Sequence, residues 1–228
     1  MKHLIIGDLH GKDCWKQANT ILYDKVVFLG DYVDHWTLPD NRIYQNLVEI
    51  IELKKNDPEK VILLLGNHDV QYLHYPNFGC SGFRPSMQRL LTMLFRENKD
   101  LFQAAYQHRN YLFTHAGVTN GWYAQFLKLP LLKQIRDEKD TVADMLNKIE
   151  QTSQRWLLHQ AGTSRGGFGH GGPTWADRKE LIADMLDGYN QVVGHTVISE
   201  VQVVEQEGKS ATFIDVLDYH TYFHEMEI

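Results

Sequence analysis

Five times along the chain, a short run of β-branched, leucine or aromatic residues stops abruptly at a polar cluster. His3-Leu4-Ile5-Ile6 runs into Gly7-Asp8-Leu9-His10, and Val26-Val27-Phe28-Leu29 into Gly30-Asp31-Tyr32-Val33-Asp34. Val61-Ile62-Leu63-Leu64-Leu65 meets Gly66-Asn67-His68-Asp69, Tyr111-Leu112-Phe113 meets Thr114-His115-Ala116-Gly117, and Val192-Val193 meets Gly194-His195-Thr196. Apolar runs of this length predict strands buried on both faces. Helix-like stretches at 12–23 and 41–55 separate the first three runs. Strand, helix and strand with crossovers of that size predict βαβ units and a largely parallel sheet. Ligands of such sheets bind at the carboxyl ends of the strands, where all five polar clusters fall.

The rest of the pattern is less regular. Residues 70–109 read as an insertion, aromatic and loop-like at first (Tyr72, Tyr75, Phe78, Phe83) and then helical from 87 to 106. A second helical region is expected over 139–160. The glycines of 162–172 mark a loop, either a plain connector or a substrate lid. Alternation at 201–204, 211–214 and 222–224 predicts strands that could form an antiparallel meander completing a second sheet. There is no internal repeat and no linker, so residues 1–228 are expected to make a single domain.

Charge and cysteine content narrow the function classes. A formal net charge of -6 gives no general attraction for a long nucleic acid. Two cysteines, Cys14 and Cys80, are too few for a disulfide framework and suit a reducing compartment. The first apolar run is too short for a signal-peptide core, and no stretch has the length of a membrane span, so a cytoplasmic location away from membranes is expected.

The polar clusters contain a donor set for divalent metals, since imidazole nitrogen with carboxylate or amide oxygen suits Mn, Fe or Zn. Asp8 and His10 are one residue apart, so a tight turn can aim both at one ion. Asp31 can give one oxygen to each of two ions, Asn67 offers a neutral carbonyl oxygen, and His115 and His195 can complete the second ion. Two ions roughly 3.5–4 Å apart can clamp the attacking and leaving oxygens of an in-line displacement and ionise a water near neutral pH. Taken singly, Asp8 or Asp31 would read as an ordinary helix cap and Asn67 as a turn residue. His170, between two glycines, is expected to face solvent.

In order and spacing, Gly7-Asp8-Leu9-His10-Gly11, Gly30-Asp31-Tyr32-Val33-Asp34, Gly66-Asn67-His68-Asp69, Thr114-His115-Ala116-Gly117 and Gly194-His195-Thr196 resemble the five signatures of the calcineurin-like metallophosphoesterases. Gly-Asp-Tyr-Val-Asp, and Val197 where other branches have a second His, resemble the branch of serine/threonine protein phosphatases and diadenosine tetraphosphatases. The resemblance implies a four-layer α/β/β/α sandwich with two central mixed sheets and two divalent ions, Mn first, with Fe, Zn or Ni as alternatives. It implies Asp8, His10 and Asp31 on one ion, and Asp31, Asn67, His115 and His195 on the other. It also implies that His68 protonates the leaving oxygen while Asp34 steadies it, since a nearby carboxylate favours the imidazolium that a general acid needs.

Two departures bear on the substrate. The family's phosphate-gripping Arg after the second block is replaced by His35-Trp36, which leaves Arg84 and Arg178 as candidate grips. Asp69 stands where protein phosphatases usually have Glu. The expected activity is hydrolysis of a phosphomonoester, on a phosphorylated small molecule or a phosphoprotein. The alternative is hydrolysis of a nucleotide or dinucleoside polyphosphate. A non-catalytic relative would be expected to have lost a ligand or the His68–Asp34 pair, and none is missing.

Overall fold

A computed structural model describes residues 1–228. The chain divides into two compact units, Met1–Phe102 with Val216–Ile228, and Gln103–Asp215. Each is built around one five-stranded mixed sheet.

In the first unit, β1 (Lys2–Ile6), β2 (Lys25–Phe28) and β3 (Val61–Leu64) are parallel neighbours. The short β4 (Phe102–Gln103) lies beyond β3, and the C-terminal β10 (His224–Glu227) runs antiparallel to β1 at the other edge. Helix α1 (Asp40–Asn56) begins after Pro39, carries Asp40 in its first turn and Lys54 and Lys55 in its last, and so complements its own dipole. Its buried residues Ile43, Leu47, Ile50 and Ile51 recur at helical spacing and join Leu4, Ile6, Val26, Phe28 and Leu63 in one core. Burying each such side chain contributes about 1.5–3 kcal/mol, which fixes the crossover between β2 and β3. Helices α2 (Asn67–Leu73) and α3 (Gln88–Glu97) follow β3.

In the second unit, β5 (Ala105–His108) and β6 (Tyr111–Thr114) form a hairpin, and β6 is parallel to β7 (Asn190–Val193). The helices α4 (Asn120–Phe126), α5 (Pro130–Ile135), α6 (Val142–Glu150) and α7 (Arg178–Ala183) lie between β6 and β7 in sequence. Strands β8 (Gln202–Gln206) and β9 (Lys209–Phe213) complete the sheet in the order β5-β6-β7-β9-β8. Trp122, Phe126, Leu132, Leu146 and Ile149 form its main helical core. No helix is long and apolar enough to cross a membrane.

All five apolar runs are strands, and each ends where its polar cluster begins. Three other expectations needed correction. Residues 12–23 form two 3-10 turns, Cys14–Gln17 and Thr20–Leu22, rather than a helix. Trp15 is their one deep anchor, donating from Nε1 to Asn46 Oδ1 at 2.8 Å, whereas Ile21 and Leu22 are exposed. The helix expected over 87–106 stops at Glu97, where Asn98 caps Leu94 through its side chain. Ala104 and Ala105 then donate their backbone N–H groups to Asn147, so the chain is already in strand pairing there. The tail does not form one meander. β8 and β9 are antiparallel, but β9 inserts beside β7 in parallel, and β10 joins the other sheet.

Candidate active site

Three of the five clusters meet at the carboxyl ends of β1, β2 and β3. The turn after β1 is stitched to the turn after β2 by His10 N–H to Asp31 O (2.8 Å) and Gly11 N–H to Tyr32 O (2.7 Å). A Cβ on Gly30 would lie 2.4 Å from the nitrogen of Gly66, and one on Gly66 would lie 2.1 Å from Asp31 Oδ1. Only glycine allows the second and third turns to approach this closely, and Gly30 also has a φ of +101°. His10, Asp31 and Asp34 are three of the six non-glycine residues with positive φ, and His195 is a fourth. Backbone strain of this kind persists where the surroundings hold it in place, as they do at functional sites.

The side chains at these turns include candidate donors for a cation. His10 donates from Nδ1 to Val33 O at 2.9 Å, which leaves Nε2 with its lone pair facing Asp31 Oδ2 at 3.9 Å. A backbone carbonyl on the far nitrogen is the usual way a ligating imidazole is oriented. Burial lowers the His10 pKa more than the Asp31 carboxylate raises it, so the neutral, ligating form is favoured. One donor atom from each of His10, Asp31 and His68 falls within 4.8 Å of the others. Asp8 and Asn67 are buried at the ends of the same strands. An imidazole and carboxylate set of this kind fits a divalent ion of the Mn, Fe or Zn type.

Asp69 has a different task, which the sequence did not reveal. Fully buried, its carboxylate accepts the backbone N–H groups of Asp31 (2.7 Å), Tyr32 (2.9 Å) and Gly66 (2.8 Å). It therefore ties the turn after β2 to the start of α2, and a longer Glu would need different spacing.

His68 and Asp34 form a pair, with Nδ1 of His68 3.0 Å from Asp34 Oδ2. Asp34 is buried, and Gln71 Nε2 (2.5 Å, on Oδ2) and Tyr72 OH (2.5 Å, on Oδ1) donate to it as well. Tyr72 in turn accepts the N–H of Arg84, and Gln71 accepts that of Cys80. Burial works against the His68 imidazolium, but the Asp31 carboxylate, the Asp34 hydrogen bond and Cys80 outweigh it and push its pKa up to about 12. Tyr72 and Gln71 were missed in the sequence because they lie beyond the motif, one helical turn after His68.

The other two clusters meet within the second unit. His115 is buried after β6 and His195 follows β7, with Nε2 of the first 3.2 Å from Nδ1 of the second. Gly194 N–H donates to His115 O at 2.8 Å, and the Trp175 ring packs edge-on to His195. Ala116 N–H is held by Pro173 O at 2.7 Å. A buried chain braces that segment: Glu150 Oε2 to His159 Nε2 (2.7 Å), and His159 Nδ1 to Thr174 Oγ1 (3.2 Å). Nothing in the sequence pattern distinguished Glu150 or His159 from other residues of a helical region.

The candidate phosphate grips have partners of their own. Arg84 bonds to Asp40 and to the carbonyl of His35. Arg178 donates from Nε to Gln202 Oε1 at 2.8 Å and lies over Phe213. Arg165, in the glycine-rich loop, pairs with Asp177 (2.9 Å) and donates to Thr196 Oγ1 (2.7 Å) beside His195. His170 is half-buried rather than solvent-facing, its ring resting where a Cβ on Gly121 would be. Tyr72, Phe83 and Tyr75 stack on one another, so this aromatic run is packed locally.

The family model of the calcineurin-like phosphoesterases matches residues 1–199. The chain belongs to that family, whose members depend on metal, and it is a phosphoric ester hydrolase. Among solved structures, a cold-active protein-tyrosine phosphatase of a psychrophilic Shewanella species is similar at 15% identity. That match covers 99% of this chain and 75% of the other, with a TM-score of 0.55. A protein serine/threonine phosphatase from Saccharomyces cerevisiae is similar at 18% identity, over 93% of this chain and 67% of the other, with a TM-score of 0.52. At these identities the likeness is one of fold: two five-stranded mixed sheets with helices. No curated protein sequence matches the chain.

Proposed function

We propose that the chain is a phosphomonoesterase of the protein-phosphatase type with two divalent ions, Mn first among the candidates, acting on a small phosphorylated molecule or an exposed phosphorylated side chain. The ligand sets are those implied by the motifs: Asp8, His10 and Asp31 for one ion, and Asp31, Asn67, His115 and His195 for the other. When bound, the ions supply Lewis acidity and lower the pKa of the attacking water. The match over residues 1–199 spans most of both units and supports treating them as one metallophosphoesterase domain.

The observation that carries the reading is the His68–Asp34 pair. Asp34 holds Nδ1, so Nε2 of His68 is left to carry the proton that the departing alkoxide needs. The carboxylate both aims the ring and favours its charged form, and Gln71 and Tyr72 keep the carboxylate in place. Arg84 and Arg178 remain the proposed phosphate grips, each by exchanging a present partner for a phosphate oxygen.

A substrate panel tests this. The Mn-loaded protein is offered p-nitrophenyl phosphate, phosphoserine, a dinucleoside polyphosphate and a single-stranded oligonucleotide at several salt concentrations. Monoester turnover with little salt dependence is expected, with a raised KM for Arg84→Ala and Arg178→Ala. Fast, strongly salt-sensitive cleavage of the oligonucleotide with little monoester activity overturns the reading.

A further inference from the structure

Immediately after Asp34 the chain makes a turn whose residues, except one, have evident structural tasks. The His35 ring accepts the backbone N–H groups of Thr37 (3.1 Å) and Leu38 (3.0 Å) through Nδ1. The His35 carbonyl is held by Arg84, which is itself fixed by Asp40, and Ser86 donates to the other Asp40 oxygen at 2.7 Å. Leu38 packs against the core. The exception is Trp36, which is 78% exposed. A single exposed aromatic on a loose loop would mean little. Here the backbone beneath the ring is pinned on both sides, and two residues of chain place it within about 7 Å of the Asp34 backbone.

A second exposed ring belongs to another turn of the first unit. Tyr219 is 65% exposed on a tight turn closed by its own N–H to Val216 O at 2.9 Å. The residue before it, Asp218, is ion-paired with Lys12, just after the first motif. Burial tends to raise the Asp218 carboxyl, but Lys12, His10 and His35 together hold it below the usual range. That carboxylate is therefore within electrostatic reach of both His10 and the turn bearing Trp36. Trp36 thus follows Asp34, the partner of His68, by two residues, and Tyr219 follows the carboxylate that holds Lys12, two residues after His10.

We propose that Trp36 and Tyr219 form an aromatic rim that receives a planar ring carried by the leaving alcohol, so that the preferred substrates are small monoesters such as nucleoside monophosphates or aryl phosphates. This inference rests on the reading of His68 as the leaving-group acid, because the alcohol departs from the side on which that acid stands. Stacking on an aromatic side chain is sequence-tolerant and adds affinity wherever a flat ring is offered, whereas an aliphatic alcohol such as serine offers none. The Lys12–Asp218 pair beside the Tyr219 turn supplies a donor and an acceptor for the polar edge of such a ring.

The test compares adenosine 5′-monophosphate, phosphotyrosine and phosphoserine with wild type, Trp36→Ala, Trp36→Phe and Tyr219→Ala. Each alanine variant is expected to lose about tenfold in kcat/KM on the two aromatic substrates, with phosphoserine changed less than twofold and Trp36→Phe retaining most of the wild-type preference. A wild-type preference for the nucleotide over phosphotyrosine assigns the ring to a base, and the reverse assigns it to an aryl ester. A readout apart from turnover is quenching of tryptophan fluorescence by adenosine 5′-monophosphate, expected in wild type and absent in Trp36→Phe. Equal losses on all three substrates, or no loss on any, overturn the aromatic rim while the phosphomonoesterase reading stands. A wild-type protein inactive on all three when loaded with Mn defeats that underlying reading instead.

Discussion

At the scale of single residues, the site depends on small polar groups held from several sides. His68 is the clearest case, because Asp34 holds its Nδ1 while Cys80 also bears on the ring, and the proposed acid role depends on that hold. General-acid assistance contributes about 10²–10⁴-fold and matters most for a poor leaving group. His68→Asn should therefore cost far more turnover on an alkyl phosphate than on p-nitrophenyl phosphate. Tyr72→Phe should show the same bias more mildly, since it removes one of the bonds that hold Asp34 and leaves the acid itself. Steady-state kinetics on the two esters decide the matter, and equal losses on both would remove His68 and Tyr72 from the acid apparatus.

At the scale of elements, the first turn of α1 helps to present the rim. Asp40 accepts from Ser86 and Arg84, and these partners hold its carboxyl below the usual range despite some burial. A depressed folded-state pKa adds stability that is present above the unfolded value of about 4 and is lost as pH falls through the folded one. The Asp40 side chain is 44% exposed, so solvent screening limits its contribution. Asp40→Asn should cost about 0.5–1 kcal/mol at pH 7, part of it from the helix dipole, and less at pH 3, below the unfolded value. Urea unfolding at the two pH values measures this, and an identical difference at both would show that the carboxylate charge is not involved. Asp69 at the start of α2 shows the same logic in a buried setting, where three backbone donors converge on one carboxylate.

At the scale of the whole molecule, the proposed ions differ in how many protein groups hold them. On the ligand sets proposed from the motifs, the first would have three ligands, Val197 standing where other branches have a second His, and the second would have four. Titration with a mild chelator should strip one ion first and abolish turnover at that step, with Mn restoring it. Metal analysis run in parallel should find two ions per chain in the active protein. Full activity with no bound metal would refute the proposal. The net charge of -6 bears on the same scale, since it leaves no broad field to draw in a polyanion.

The family, and with it the candidate metal donors, was legible before any fold was known. Buried strands announce themselves as unbroken apolar runs, and His3 to Ile6, Val26 to Leu29 and Val61 to Leu65 each end at the residues that fill the site, because a parallel sheet exposes its functional groups where its strands stop. The positive φ values of Asp31 and Asp34, by contrast, were not read from the sequence. Groups whose role comes only from proximity were not legible. Asp69 looked like an altered catalytic position but braces three backbone amides, while Glu150 and His159 looked like helix residues but support the segment that packs on His195. The destination of β10 was equally hidden, since its alternating pattern suits an edge strand of either sheet, and pairing with β1 is a long-range event. Local sequence determined which residues could turn, bury or ligate, because those are properties of short segments. Tertiary structure alone decided which residues would hold others in place, because that depends on what folding brings within hydrogen-bonding distance.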